Sequence, residues 1–153
     1  MIKYCYDQWN KNKYMLEAAL RETDISRVEY KDLLVLTVEN ILNDDDYGPK
    51  WNTEGITEID DGSYQGTLLY LIPEDDYQPS EWQYLMTYVG YGSCSYCDLL
   101  QSIQPYSQEE TDDDDIKNFM SLCKDLVTNM IKPYNYGWRN KEEFEHVTME
   151  ETE

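Results

Sequence analysis

Two thiols three positions apart, in Cys94-Ser95-Tyr96-Cys97, are the spacing in this chain that comes closest to a reactive motif. Such a pair can fill two corners of a tetrahedral zinc site or form a redox-active dithiol at the start of a helix. Structural zinc needs four ligands, and the remaining soft donors, Cys5, Cys123 and His146, are scattered without a second pair. A strand-to-helix context for a dithiol is roughly present, but a βαβ organisation is not. The plainer reading is that both thiols pack where a strand meets a helix, with Gly90 and Gly92 permitting the turn. Cys94 and Cys97 are therefore weak metal candidates, and no cofactor is expected.

Nucleophilic catalysis has little to work with. His146 is the sole histidine and falls near the C-terminus, so Ser-His and Cys-His pairs are nearly excluded. Phosphate-binding glycine loops are missing from the sequence. Carboxylates abound, yet a catalytic pair needs a shielded cleft that separates its two pKa values. Asp44–Asp46 lacks the spacing of a calcium loop, and Asp112, Asp113, Asp114 and Asp115 read as charges favoured at a helix start. The expectation is a protein that is not an enzyme.

What the carboxylates can do together is more informative. The chain carries 32 Asp+Glu against 12 Lys+Arg, a net charge of −20. Between Trp51 and Ile116 there is no Lys or Arg, while Asp and Glu recur throughout. Such a surface disfavours nucleic acid and anionic membrane as direct partners, because binding phosphates requires cations. It attracts a basic partner and raises its association rate. Tyrosine is the second excess, 15 residues against 2 Phe. Its ring and polar tip suit interfaces and stacking on arginine. Carboxylates standing for phosphates and rings standing for bases are the composition of a nucleic-acid mimic. The partner-binding candidates are Asp60, Asp61, Glu74, Asp75, Asp76, Glu81 and the run Asp112–Asp115, with Tyr77 and Tyr91 as aromatic anchors.

The elements that must position these residues follow from periodicity. Tyr4–Glu22 reads as an amphipathic helix with Cys5, Trp9, Leu16, Ala19 and Leu20 on one stripe. Ser26 with Glu29 has the form of a capping box for a second helix running to Leu42. Gly55–Ile59, Gly66–Ile72 and Glu81–Tyr91 read as strands of an antiparallel meander, with a turn at Asp60–Ser63. The last strand has apolar residues on both faces, which places it centrally or under helices. A short helix is predicted over Tyr96–Gln104 with Leu99, Leu100 and Ile103 inward. A long one, capped by Thr111, is predicted to bury Ile116, Phe119, Met120, Cys123, Leu126, Val127, Met130 and Ile131 and to stop at Pro133. The predicted fold class is α+β, about three antiparallel strands against about four helices in the order ααβββαα. It occupies a single domain over 1–138, followed by an acidic tail over 139–153. At 153 residues the chain is one domain long, with no apolar run long enough for a membrane span and no basic-then-apolar leader. A cytoplasmic location, with reduced thiols, is expected.

Three segments, Tyr4–Leu20 (YCYDQWNKNKYMLEAAL), Gly66–Gln104 with its Tyr-Gly-Ser-Cys-x-x-Cys-Asp stretch, and Met120–Tyr134 (MSLCKDLVTNMIKPY), resemble a family of small acidic proteins of bacteriophages that infect low-GC Gram-positive bacteria. The resemblance implies an origin but no activity and no site residues. By analogy with small acidic phage proteins of the anti-CRISPR, anti-restriction, glycosylase-inhibitor and polymerase-inhibitor types, it implies an inhibitor acting in the infected host's cytoplasm. Such an inhibitor would block a host protein with a basic nucleic-acid-binding surface. Two other readings stay open: a zinc- or redox-dependent protein using Cys94 and Cys97, and a virion or regulatory interaction protein without mimicry. A homo-oligomer is compatible with all three.

Overall fold

In the computed structural model, which describes residues 1–43, 48–62, 65–94 and 98–133, helix α1 (Lys3–Glu22) buries Cys5, Trp9, Leu16 and Leu20 of the predicted stripe, with Ala19 half-buried. It also buries three residues that can donate hydrogen bonds, Tyr4, Gln8 and Asn12. Their reason lies in the next helix. α2 (Tyr30–Thr37) does not run regularly to Leu42 but widens into a π-helical turn, Val38–Leu42. A π turn displaces carbonyls from the regular ladder. Here the Ile41 carbonyl accepts from Asn12 Nδ2 at 2.9 Å and from Gln8 Nε2 at 3.3 Å. The Leu42 carbonyl accepts from the Tyr4 hydroxyl at 3.1 Å, and that hydroxyl accepts from Trp51 Nε1 at 3.3 Å. Asn43 then clasps the returning chain: its Oδ1 accepts from the Trp51 N–H at 2.7 Å and its Nδ2 donates to the Trp51 carbonyl at 2.9 Å. Asp44–Asp46 lie outside the described residues.

The cap of α2 is Glu29, reciprocated by Asp32, rather than Ser26. Ser26 instead donates its hydroxyl to Asp24 within the turn that precedes the helix.

The sheet is the expected antiparallel meander, β1 (Thr57–Asp60), β2 (Gly66–Pro73) and β3 (Tyr84–Tyr91), in the order β1-β2-β3. β2, not the last strand, is central. β3 starts three residues later than predicted because Ser80 and Gln83 cap a 3-10 turn, Glu81–Gln83. Leu85 and Thr87 are buried towards the helices, and the strand's outer edge is closed by the chain after the last helix. Along that edge Asn129 Nδ2 donates to the Tyr88 carbonyl at 3.1 Å, and Met86 and Ile131 exchange backbone bonds of 3.0 and 2.8 Å. Lys132 Nζ donates to the Tyr84 carbonyl at 2.6 Å. A strand edge that would otherwise pair with another chain is thereby occupied.

α3 (Leu99–Ile103) is shorter than predicted, and Leu99 is 45% exposed rather than inward, leaving Leu100 as its buried anchor. α4 (Asp113–Thr128) buries Ile116, Phe119, Leu122, Cys123, Leu126 and Val127. It docks on β3 through the Thr87 hydroxyl, which donates to the Leu126 carbonyl at 2.5 Å. The helix ends at Thr128, before Pro133, so Met130 and Ile131 leave it, and Ile131 becomes the partner of Met86. Among the described residues the assembly is α+β, a three-stranded antiparallel sheet and four α-helices. The tail 139–153 and His146 lie outside the described residues. Among the described residues no helix is long and apolar enough to cross a membrane.

Candidate functional site

The predicted acidic residues divide into three groups. At the β1–β2 turn, Asp60 Oδ1 accepts from the Tyr91 hydroxyl at 2.5 Å and from the Gly62 N–H at 2.9 Å. These bonds, Tyr91 first, hold the Asp60 carboxyl below its ordinary pKa, and Asp60 in turn raises the Tyr91 phenol to about 12. Asp61 Oδ1 accepts from the Thr67 N–H at 2.6 Å. The turn is tight enough that a Cβ on Gly62 would lie 2.0 Å from the Gln65 carbonyl oxygen, so only glycine fits there. Asp60 and Asp61 therefore build the turn while remaining exposed. Tyr91, predicted as an anchor, has its hydroxyl committed to Asp60.

The second group is the β2–β3 loop. Glu74 donates its N–H to the Gln83 carbonyl at 2.8 Å, Asp75 donates its N–H to the Lys50 carbonyl at 2.7 Å, and Asp76 Oδ2 accepts from Gln83 Nε2 at 3.1 Å. These bonds pin the backbone and leave Asp75, Asp76 and Glu81 exposed, with Tyr77 93% exposed beside them. Glu74 is only half-exposed and feels the charge of Lys132. That lysine arrives from beyond α4. Its ammonium donates to the Trp82 and Tyr84 carbonyls at 2.5 and 2.6 Å and sits 5.8 Å from the Trp51 ring centre. Burial pulls its pKa down to about 7, opposed by Glu74.

The third group opens α4, and its roles differ residue by residue. Asp112, not Thr111, is the N-cap: its Oδ1 accepts from the Asp115 N–H at 2.9 Å, and Asp115 Oδ2 accepts from the Asp112 N–H at 3.0 Å. Asp113 pairs with Arg21 at 2.8 Å, across from the end of α1. Asp114 is exposed. A cleft of 190 Å³ opens here between Arg21, Thr23, Gln108 and the helix start. At ~1.5 Å per residue the run lies roughly 20 Å along the helix from Leu126, where α4 meets β3. That exceeds the screening length of about 8–10 Å. Asp112, Asp113 and Asp114 are exposed, as are Asp75, Asp76 and Glu81, and what the loop adds is the exposed ring of Tyr77.

Among the described residues the thiols do not form one centre. Cys5 and Cys123 are fully buried, and burial pushes both up to about 12, which holds them as inert thiols. Cys94 is exposed rather than packed, and Cys97 lies outside the described residues. Among the described residues no three His, Cys, Asp or Glu side chains are grouped to hold a metal ion.

A buried acid that the sequence reading passed over organises the strand-to-helix junction instead. Asp98, 5% exposed, caps α3 through the Gln101 N–H at 3.1 Å, accepts from the Gly92 N–H at 3.0 Å and receives the Tyr30 hydroxyl at 2.8 Å. The legible signal was an aspartate immediately before an apolar helical pair, an N-cap signature.

No family model, curated protein or solved structure matches the chain.

Proposed function

We propose that this protein is a phage-encoded acidic inhibitor that occupies the basic nucleic-acid-binding surface of a host defence or nucleic-acid-processing protein, acting in the host cytoplasm by occupancy and without chemistry of its own. The observation that supports this reading is the rigid β2–β3 loop. It presents Asp75, Asp76 and Glu81 around an exposed Tyr77, on strands that carry no Lys or Arg of their own. Anionic groups on a pinned backbone lose little freedom on binding and steer a cationic groove towards the tyrosine. Lys132 also reaches this loop, where its ammonium donates to the Trp82 and Tyr84 carbonyls and its charge acts on half-exposed Glu74.

The test is affinity capture from host lysate at low and high salt, comparing the unaltered chain with the Asp75→Lys/Asp76→Lys double variant and with Glu22→Lys on α1. The reading predicts a nucleic-acid-binding protein that elutes as salt rises, is lost with the double variant and is retained with Glu22→Lys. Capture that is indifferent to salt and to the loop charges would count against it.

A further inference from the structure

We infer that the outer face of the sheet docks a cationic amphipathic segment of the partner protein, an inference that rests on the proposed inhibitor reading and gives it a contact surface. The strand register defines this face. On β2 the side chains of Tyr70 and Ile72 are buried towards the helices, so Leu69 and Leu71 point the other way. Residues directly opposite in the register share a face. Ile59, Leu69 and Tyr88 therefore form one row across the three strands, and Thr57, Leu71 and Met86 form the next. Five of these six side chains are apolar or aromatic, and Ile59 and Tyr88 are 44% and 45% exposed.

Size and charge choose the occupant. At ~4.8 Å between strands and ~7 Å between same-face residues along a strand, the two rows cover on the order of 200 Å². A stable association of two folded chains buries about 800 Å² on each partner. The face therefore fits one strand or one helix turn, not a second copy, and a second copy would also bring its own charge of −20. Cationic ends complement the surroundings: Asp61 stands beyond the Ile59 end of the strands, the loop with Asp75 and Asp76 stands at the other, and the strands themselves have no cation. Pairing along β3 is not the route, because Asn129, Ile131 and Lys132 already fill that edge. The segment lies across the face, apolar side chains on the two rows and Arg or Lys at the acidic ends.

The experiment titrates the full chain with two synthetic peptides, one alternating arginine and leucine, the other with serine replacing every leucine. Binding is followed by fluorescence and by NMR of Ile, Leu and Met methyl groups. The Arg-Leu peptide should bind at least about tenfold more tightly than the Arg-Ser peptide. It should shift the methyls of Ile59, Leu69, Leu71 and Met86. Ile59→Ser and, separately, Tyr88→Ser should each abolish most of that tenfold preference with thermal unfolding unchanged. Equal affinity for the two peptides, with the methyls of Ile59, Leu69, Leu71 and Met86 unshifted, would overturn the docking face and leave the electrostatic inhibitor reading standing. No binding of either peptide would overturn both. A salt-resistant dimer in sedimentation that Ile59→Ser dissociates would overturn this proposal in favour of a second copy.

Discussion

The Tyr30 hydroxyl donates to the Asp98 carboxylate at 2.8 Å and accepts the Leu100 N–H at 3.1 Å, joining the start of α2 to the cap of α3 across 68 residues of chain. With the Gly92 N–H on the second carboxylate oxygen, one buried acid fixes the end of β3, the start of α3 and the first turn of α2. Tyr30→Phe keeps the ring and removes both bonds, leaving the Leu100 N–H without its acceptor. It should cost about 1–2 kcal/mol in urea unfolding at an unchanged denaturant slope. Asp98→Ala also removes the cap and strands the Gly92 N–H, and should cost about 3 kcal/mol. Equal, small losses for the two variants would mean the junction is held by apolar packing alone.

The polar seam between α1 and the π turn makes a second prediction. Asn12→Ala removes the shorter of the two side-chain bonds to the Ile41 carbonyl and opens a small void, so unfolding stability should fall by about 1–3 kcal/mol. Gln8→Ala, which removes the 3.3 Å bond, should cost less. The reverse order, read from chemical denaturation, would show that the π turn does not depend on Asn12.

Stability should pass through a maximum at mildly alkaline pH. Lys132 has a folded pKa near 7 against about 10.4 in an unfolded chain. Between those values the unfolded state holds more protons, and stability rises with pH. Cys5 and Cys123 have folded pKa values of about 12 against about 8.5 unfolded. Their contribution is complete below about pH 8.5, and it is lost as pH rises towards 12, at up to about 1.4 kcal/mol per pH unit for each thiol. Raised phenol pKa values at Tyr30 and Tyr70, caused first by burial, steepen the loss above about pH 10. The maximum should therefore fall near about pH 8.5–9. Lys132→Met should flatten the acidic side, and Cys123→Ala should make the alkaline side shallower. Thermal unfolding across pH 6–11 measures both limbs.

Added salt should stabilise the fold. With a net charge of −20 and cations largely absent from Trp51 to Ile116, self-repulsion is the dominant long-range term, and screening relieves it. The melting temperature should rise from low salt to ~0.5 M sodium chloride, where the screening length is only a few Å. Asp75→Asn/Asp76→Asn should diminish that rise. A melting temperature that falls with salt would mean that the ion pairs Arg21–Asp113 and Lys3–Asp7, each 2.8 Å, outweigh the repulsion.

Local pattern determined a great deal here by itself. The stripe of α1, the meander and its turn, the apolar face of α4 and the absence of cations from the middle of the chain all follow from neighbours in sequence, because periodicity and turn chemistry act over a few residues. Tertiary structure decided which strand is central: the pairing puts β2 between β1 and β3, and Asn129, Ile131 and Lys132 cover the outer edge of β3. It decided that Gln8 and Asn12 belong inside, because their acceptor is a carbonyl released by a π turn 29 to 33 residues away. It also decided which donors each carboxylate meets. Asp112 and Asp115 cap each other, Asp113 meets Arg21, Asp60 takes Tyr91 and Asp76 takes Gln83, while Asp75 is exposed, although all carry the same charge in the sequence. A carboxylate's role depends on which donors come within about 3 Å, and that distance is set by chain segments far apart in sequence.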